Sequence, residues 1–335
     1  MSKNETDILK GFFALCVILH HLGQQNGLDG IFGSINGCLG GIAVGAFFFL
    51  SSYGLVQSYL KDKANYYKKI FLVKIPVLYL IQVSINLIYF LCFELNSGLS
   101  LTNILVRIFN FDIFFGFSRM NGYSWFITTI LFVYLAFGFI LLLSKLFKKY
   151  IKNNNLFIAI SFTISIFISY CLVVALNFDT LYIKSIFCFL LGIWYSLYYV
   201  EINKFLQNKK VYYLSLITTI ALIPIFFFFV NVFVISIEHT ISLLICVLII
   251  ILSQKMTVES NKTYLFLGKI SLAIYLLQLI WIYYLHAQLS IDIFTGGIAV
   301  ISTTIVSAYL YTSIYNVISK SVSKLKNKFI DKRRI

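Results

Sequence analysis

Apolar residues fall into ten long runs along the chain: 9–22, 38–59, 71–93, 123–147, 156–176, 181–200, 212–235, 240–254, 264–285 and 296–318. None alternates with period two, and most approach the roughly 20 residues that a helix needs to cross the hydrocarbon core of a bilayer. The pattern predicts membrane-spanning helices rather than the strands of a transmembrane barrel. The eighth run is short and the sixth carries Lys184. The only prolines, Pro76 and Pro224, lie within runs, where neighbouring helices can satisfy the freed carbonyl. The longest segment between runs, 94–122, contains the apolar stretch 103–117, which fits an interfacial or re-entrant helix.

The charges fall between the runs and orient them. With the N-terminus in the cytoplasm, 24 of the 27 lysines and arginines lie in cytoplasmic segments, and only Arg107, Arg119 and Lys184 do not. The twelve acids split evenly, as expected of residues with little influence on orientation. The prediction is an all-α, polytopic membrane helix bundle of about ten transmembrane helices with both termini cytoplasmic. It is a single domain over 1–335, ending in a basic tail at 319–335.

Composition supports this and excludes other classes. Apolar residues make up 60% and charged residues 12% of the 335, with a mean hydropathy of +0.91. Soluble domains carry roughly 45–50% and about 25%. The net charge of +15 would suggest a nucleic-acid partner, but its placement is explained by topology, so none is expected. Cys16, Cys38, Cys92, Cys171, Cys188 and Cys246 form no CxxC pair and lie mostly inside apolar runs. They read as small core residues rather than disulfides or metal ligands. The first run lacks a cleavage-site pattern and reads as a start-transfer anchor.

Titratable groups inside spans are costly, and each is a candidate for function. Lys10 and His21 are eleven residues apart, which places both on one helix face about 16 Å apart along the axis. His20 points roughly 100° away. A neutral imidazole is a good general base for a hydroxyl. The alternative readings are a hydrated interfacial histidine and a snorkelling lysine anchor. Lys68, Lys69 and Lys74 cluster at the start of the third run and can hold phosphate groups, or serve as an ordinary positive anchor.

Gly37, Gly41 and Gly45 are spaced for close helix packing. Glu238 with His239 forms an acid–imidazole pair or a solvated loop. Arg107, Asp112 and Arg119 line segment 94–122, where they are solvated or contact a sugar or anionic acceptor. Zinc, P-loop, dinucleotide and G-x-S-x-G signatures are absent.

Several stretches together resemble the acyltransferase 3 family of bacterial integral membrane acyltransferases. Lys10 through His20-His21 is similar to the family's opening helix, a basic residue and then a histidine after ten others. Phe47-Phe48-Phe49-Leu50-Ser51-Ser52-Tyr53-Gly54-Leu55 is similar to its "FFxLSGfll" segment. Lys68-Lys69 through Lys74-Ile75-Pro76 resembles its "RRxxRixP" segment, and Ser124-Trp125-Phe126-Ile127 its "WFL". Leu267-Gly268-Lys269-Ile270-Ser271 through Gln278 resembles its "LGkiSysiYLlH". Lysines stand at 10, 68, 69 and 74 where relatives often have arginine, Ser52 replaces a glycine, and Gln278 a common histidine.

The resemblance implies transfer of an acyl group, usually acetyl, from cytoplasmic acetyl-CoA to a hydroxyl of a surface polysaccharide or its lipid-linked precursor. It implies a bacterial cytoplasmic membrane location, with lipid as the surrounding partner and no metal. His21, as general base or as a relay of the acyl group across the membrane, and Lys10 become the candidate catalytic residues. Lys68, Lys69 and Lys74 become the acyl-CoA site, and Trp125, Ser271, Tyr275, Arg107 and Arg119 contacts for the acyl or acceptor groups. A glycan-precursor transporter or flippase, a non-catalytic export subunit, and a succinyl rather than acetyl transferase are the alternatives.

Overall fold

The computed structural model describes residues 1–25, 27, 30–112, 118–176, 179–183, 185–229, 237–255, 261–287 and 293–331. The fold is 86% helical, with no strand among the described residues. Nine helices there are long and apolar enough to cross a membrane, and a shorter apolar helix covers His239–Leu252. They account for the ten predicted runs, the eighth being the short one. Lys184 lies outside the described residues.

The helices in chain order are α1 (Lys3–Gln25), α2 (Gly30–Lys61), α3 (Tyr66–Glu94), α4 (Leu101–Ile108), α5 (Ser124–Leu146) and α6 (Asn154–Ala175). After a 3-10 turn at Thr180–Ile183 follow α7 (Ile186–Leu197), α8 (Tyr199–Leu206), α9 (Lys209–Phe229), α10 (Ile237–Leu252), α11 (Lys262–Ile282) and α12 (Ile293–Asp331). Two compact units result, one of Met1–Gly33 with Glu259–Ile335 and the other of Ser34–Val258.

In the first unit α11 packs against both α1 and α12. Ser2 starts α1 with a reciprocal cap: its Oγ accepts from the Glu5 N–H at 3.2 Å, and its own N–H donates to Glu5 Oε2 at 2.7 Å. Asn261 Oδ1 caps α11 by accepting from the N–H groups of Thr263 and Tyr264. The helices α1 and α11 meet at two glycines. A Cβ at Gly268 would lie 1.9 Å from the Asp7 carbonyl oxygen, and one at Gly11 would lie 2.5 Å from that of Tyr264. Without side chains there, the backbones come into direct contact.

In the second unit the core is aromatic. Phe48 lies edge-on to Phe126 and Phe189, Phe189 stacks on Phe162, and Phe137 joins Phe162 to Tyr59. Gly45 lets α2 approach α10 and α7, since a Cβ there would meet Ser242 Cβ at 2.7 Å and Cys188 Sγ at 3.0 Å. Of the predicted glycine face, Gly37 has nothing within 4 Å of its would-be Cβ among the described residues, whereas Gly45 is closely packed. Cys16, Cys188 and Cys246 are buried, whereas Cys92 and Cys171 are exposed.

Pro76 shapes α3 in an unexpected way. Residues Ile70–Lys74 form a π-turn, and the Ile75 N–H bonds to the Ile70 carbonyl five residues back. Proline lacks an N–H and its ring clashes with the carbonyl four residues before it; the wider turn gives that carbonyl room. The helix thus adapts to the proline within its own backbone. Segment 94–122, expected to hold an interfacial or re-entrant helix, holds α4, which ends at Ile108, while 113–117 lie outside the described residues. Asn86 on α3 fixes its end, its Nδ2 donating to the carbonyls of Arg107 and Ile108.

Candidate functional site

The first unit holds Lys10, His21, Ser271 and Tyr275. The unbroken α1 gives Lys10 and His21 their eleven-residue spacing. Lys10 Nζ is 3.8 Å from Asp7 Oδ1, one turn back. The half-buried His21 ring has Nδ1 2.9 Å from Gln24 Oε1. In the Nδ1–H tautomer the ring donates to this carboxamide oxygen and Nε2 is the basic nitrogen. His20 is buried, and its ring meets that of His21 edge-on at 4.7 Å.

Gln24 was not singled out by sequence. The signal was available, since residues three apart share a helix face, but a glutamine near a helix end has no distinctive pattern. On α11, the buried Ser271 hydroxyl donates to the Gly268 carbonyl at 2.9 Å. Tyr275 is buried, and Gln278 Nε2 donates to the Tyr275 carbonyl at 3.0 Å.

The second unit holds the lysine cluster. Lys68 and Lys69 are exposed at the start of α3, and Lys74 is half-buried, with Nζ 5.8 Å from the centre of the Tyr66 ring. In a regular α-helix Lys69 and Lys74 would lie about 140° apart. The five-residue bonding of the π-turn brings them towards one side. Lys145, at the end of α5, joins the cluster: its Nζ lies 3.4 Å from Tyr67 Oη and 5.1 Å from that ring's centre. Sequence gave no hint of this, because 78 positions separate the two residues.

The second unit also holds the residues expected to touch an acceptor. Arg107 is buried and makes a two-pronged pair with Glu94, both contacts at 2.5 Å. Its remaining donors reach the carbonyls of Ser118 and Arg119. These bonds pin the segment after α4. Arg119 pairs with Asp179, and its Nε donates to Tyr182 Oη at 3.3 Å. Burial works against the charge of Arg119, but Tyr182 and Asp179 outweigh it and hold its pKa above the ordinary value.

Trp125 is buried in the first turn of α5, and Thr129 Oγ1 donates to both the Trp125 and Tyr182 carbonyls. Asp112 is only 4% exposed. Burial pushes its carboxyl above the ordinary range, against the pull of Arg119 and Arg107. Glu238 has its side chain outside the described residues.

Beside this cluster α5, α6 and the 3-10 turn enclose a cavity of about 400 Å³. Its lining includes Phe132, Val133, Ser169, Leu172 and Tyr182, and it is mostly apolar. Among the described residues no group of three or more His, Cys, Asp or Glu side chains is arranged to hold a metal ion.

A family model described as an acyltransferase domain, that of the acyltransferase 3 family, matches residues 3–312. No curated protein and no solved structure matches the chain.

Proposed function

The chain belongs to the acyltransferase 3 family, and from that premise we propose that it moves an acetyl group from acetyl-CoA to a hydroxyl of a surface polysaccharide or its lipid-linked precursor. The observation that supports this reading is the His21–Gln24 contact, which orients an imidazole on a helix long and apolar enough to span a membrane.

In the proposed reaction, Nε2 takes the proton of the acceptor hydroxyl as its oxygen attacks the thioester carbonyl. The tetrahedral intermediate then expels the CoA thiolate, and the proton held on His21 passes to that sulfur. The products are the O-acetyl ester, free CoA thiol and neutral His21. Such positioned acid–base catalysis contributes about 10²–10⁴-fold.

Lys68, Lys69, Lys74 and Lys145 supply cations for the donor's phosphates. Lys10 is held by Asp7 on the face of α1 that carries His21. Ser271 and Tyr275 are hydrogen-bonding groups for the acyl carbonyl, and Arg119 and Trp125 belong to the acceptor side. The inside-positive charge pattern supports a cytoplasmic lysine cluster, on the side of the proposed donor.

The test is acetyl transfer from labelled acetyl-CoA in proteoliposomes holding the purified protein and a glycan acceptor. Label in an ester on the glycan is the expected result. Glycan that crosses the bilayer without gaining label would favour a transporter instead.

A further inference from the structure

The short connection between α5 and α6 joins two helices long and apolar enough to cross a membrane, so it lies at a bilayer surface. Residues 145–155 include four lysines and no acid. Lys148, Lys149 and Lys152 are exposed, and none of them takes part in an ion pair among the described residues. Beside them Leu146, Phe147 and Tyr150 are 68%, 50% and 78% exposed.

Hydrogen bonds hold this segment in place. The Phe147 N–H donates to the Leu143 carbonyl and the Tyr150 N–H to the Phe147 carbonyl, both at 2.9 Å. Asn153 Oδ1 caps α6 by accepting from the Leu156 N–H at 3.1 Å, and Asn154 Nδ2 donates to Tyr59 Oη on α2 at 2.9 Å. At the other end Lys145 reaches Tyr67 on α3. Three apolar side chains and three lysines thus stand out from a fixed platform.

Two properties define what covers them. At a bilayer surface, apolar side chains enter the boundary of the acyl region while lysines extend to the headgroups, and a tyrosine suits that boundary. The unpaired cations then select negative headgroups. Four lysines beside a span are enough to attract anionic lipid, each strengthening the attraction about fivefold. A second copy of the chain would bring four more lysines to the same place and be repelled. A soluble polyanion would leave Leu146, Phe147 and Tyr150 in water.

We infer that this segment binds a phospholipid with an anionic headgroup, its phosphate among Lys148, Lys149 and Lys152 and its chains against Leu146, Phe147 and Tyr150. These lysines are distinct from those assigned to the acyl donor, and the inference does not rest on acyl transfer.

The test is photocrosslinking of the full chain with Tyr150 replaced by p-benzoylphenylalanine, which keeps an aromatic ring there. The protein is reconstituted with equal amounts of phosphatidylglycerol and phosphatidylcholine of the same chains, and adducts are weighed by mass spectrometry. Phosphatidylglycerol adducts should exceed the others about tenfold. The joint change Lys148→Gln, Lys149→Gln and Lys152→Gln should bring the two yields together. The joint change Lys204→Gln, Lys209→Gln and Lys210→Gln removes as much charge from other connections of this unit and should leave the preference intact.

Each variant is used only where it unfolds at the wild-type temperature. Equal yields with the wild-type lysines would overturn the inference, as would a preference that survives the first triple change. Equal loss in both triple changes would reduce the effect to general surface charge and overturn the site. Irradiation in native membranes should also give lipid adducts, and an adduct to a protein instead would overturn the choice of lipid.

Discussion

Gly268→Ala adds a single methyl group where α1 and α11 touch. Its Cβ would sit 1.9 Å from the Asp7 carbonyl oxygen, 2.5 Å from that carbonyl carbon and 2.9 Å from Asp7 Cα. Ordinary contact begins at 3.4 Å, so the helices must part by about 1.5 Å. All three obstacles are backbone, and no side-chain rotation relieves them. Overpacking usually costs about 1–3 kcal/mol, and a backbone clash this close belongs at the upper end.

The shift also moves Lys10 and its partner Asp7, which adjoin the crossing. Thermal unfolding in detergent should show a clear loss of stability, and acetyl transfer should fall with it. Gly37→Ala is the control: its methyl meets nothing within 4 Å among the described residues, and better helix propensity is worth up to about 1 kcal/mol. It should be neutral or stabilising. Wild-type stability and activity in Gly268→Ala would refute the packing described for α1 and α11.

Gln24→Leu removes the acceptor that fixes the His21 tautomer, so kcat should drop about tenfold with KM unchanged, and Gln24→Glu, which still accepts, should restore it. Lys69→Ala with Lys74→Ala should raise KM for acetyl-CoA severalfold, with less effect on kcat and a weaker dependence on salt; Lys145→Ala should act in the same direction. Asp112→Asn should raise the unfolding temperature near neutral pH. Because burial raises the folded-state pKa of Asp112, the folded protein holds this proton to higher pH than the unfolded chain. Stability therefore falls as pH rises through that window, and the advantage of the asparagine variant should shrink as pH is lowered below it.

Much of the fold was legible because a bilayer imposes one period and one length on every span. The ten runs correspond to the nine long helices and the short apolar one among the described residues. What sequence could not supply was partnership. The glycine spacing at Gly37, Gly41 and Gly45 says that small residues share a face, but only the fold shows that Gly45 meets α10 and α7 while Gly37 meets nothing among the described residues.

Pro76 was legible as a break in hydrogen bonding, but the π-turn that absorbs it depends on the backbone around Ile70 and Ile75. The candidate residues followed the same division. Lys10, His21 and the lysines at 68, 69 and 74 stand out as charges beside or within apolar runs. Lys145 beside Tyr67 and Asp179 beside Arg119 come together only through folding, across 78 and 60 positions. Arg107 stands out in sequence as a charge in segment 94–122, but its contacts with Glu94 and the carbonyls of Ser118 and Arg119 show only in the fold.

The central claim is acyl transfer with His21 as the base, and one comparison tests it most directly. Wild type and His21→Ala, each purified and shown to unfold at the same temperature, are given labelled acetyl-CoA and glycan acceptor in proteoliposomes. The account predicts ester-linked label on the glycan with wild type and a loss of at least 10²-fold with His21→Ala. Transfer at the wild-type rate by a folded His21→Ala protein would contradict it.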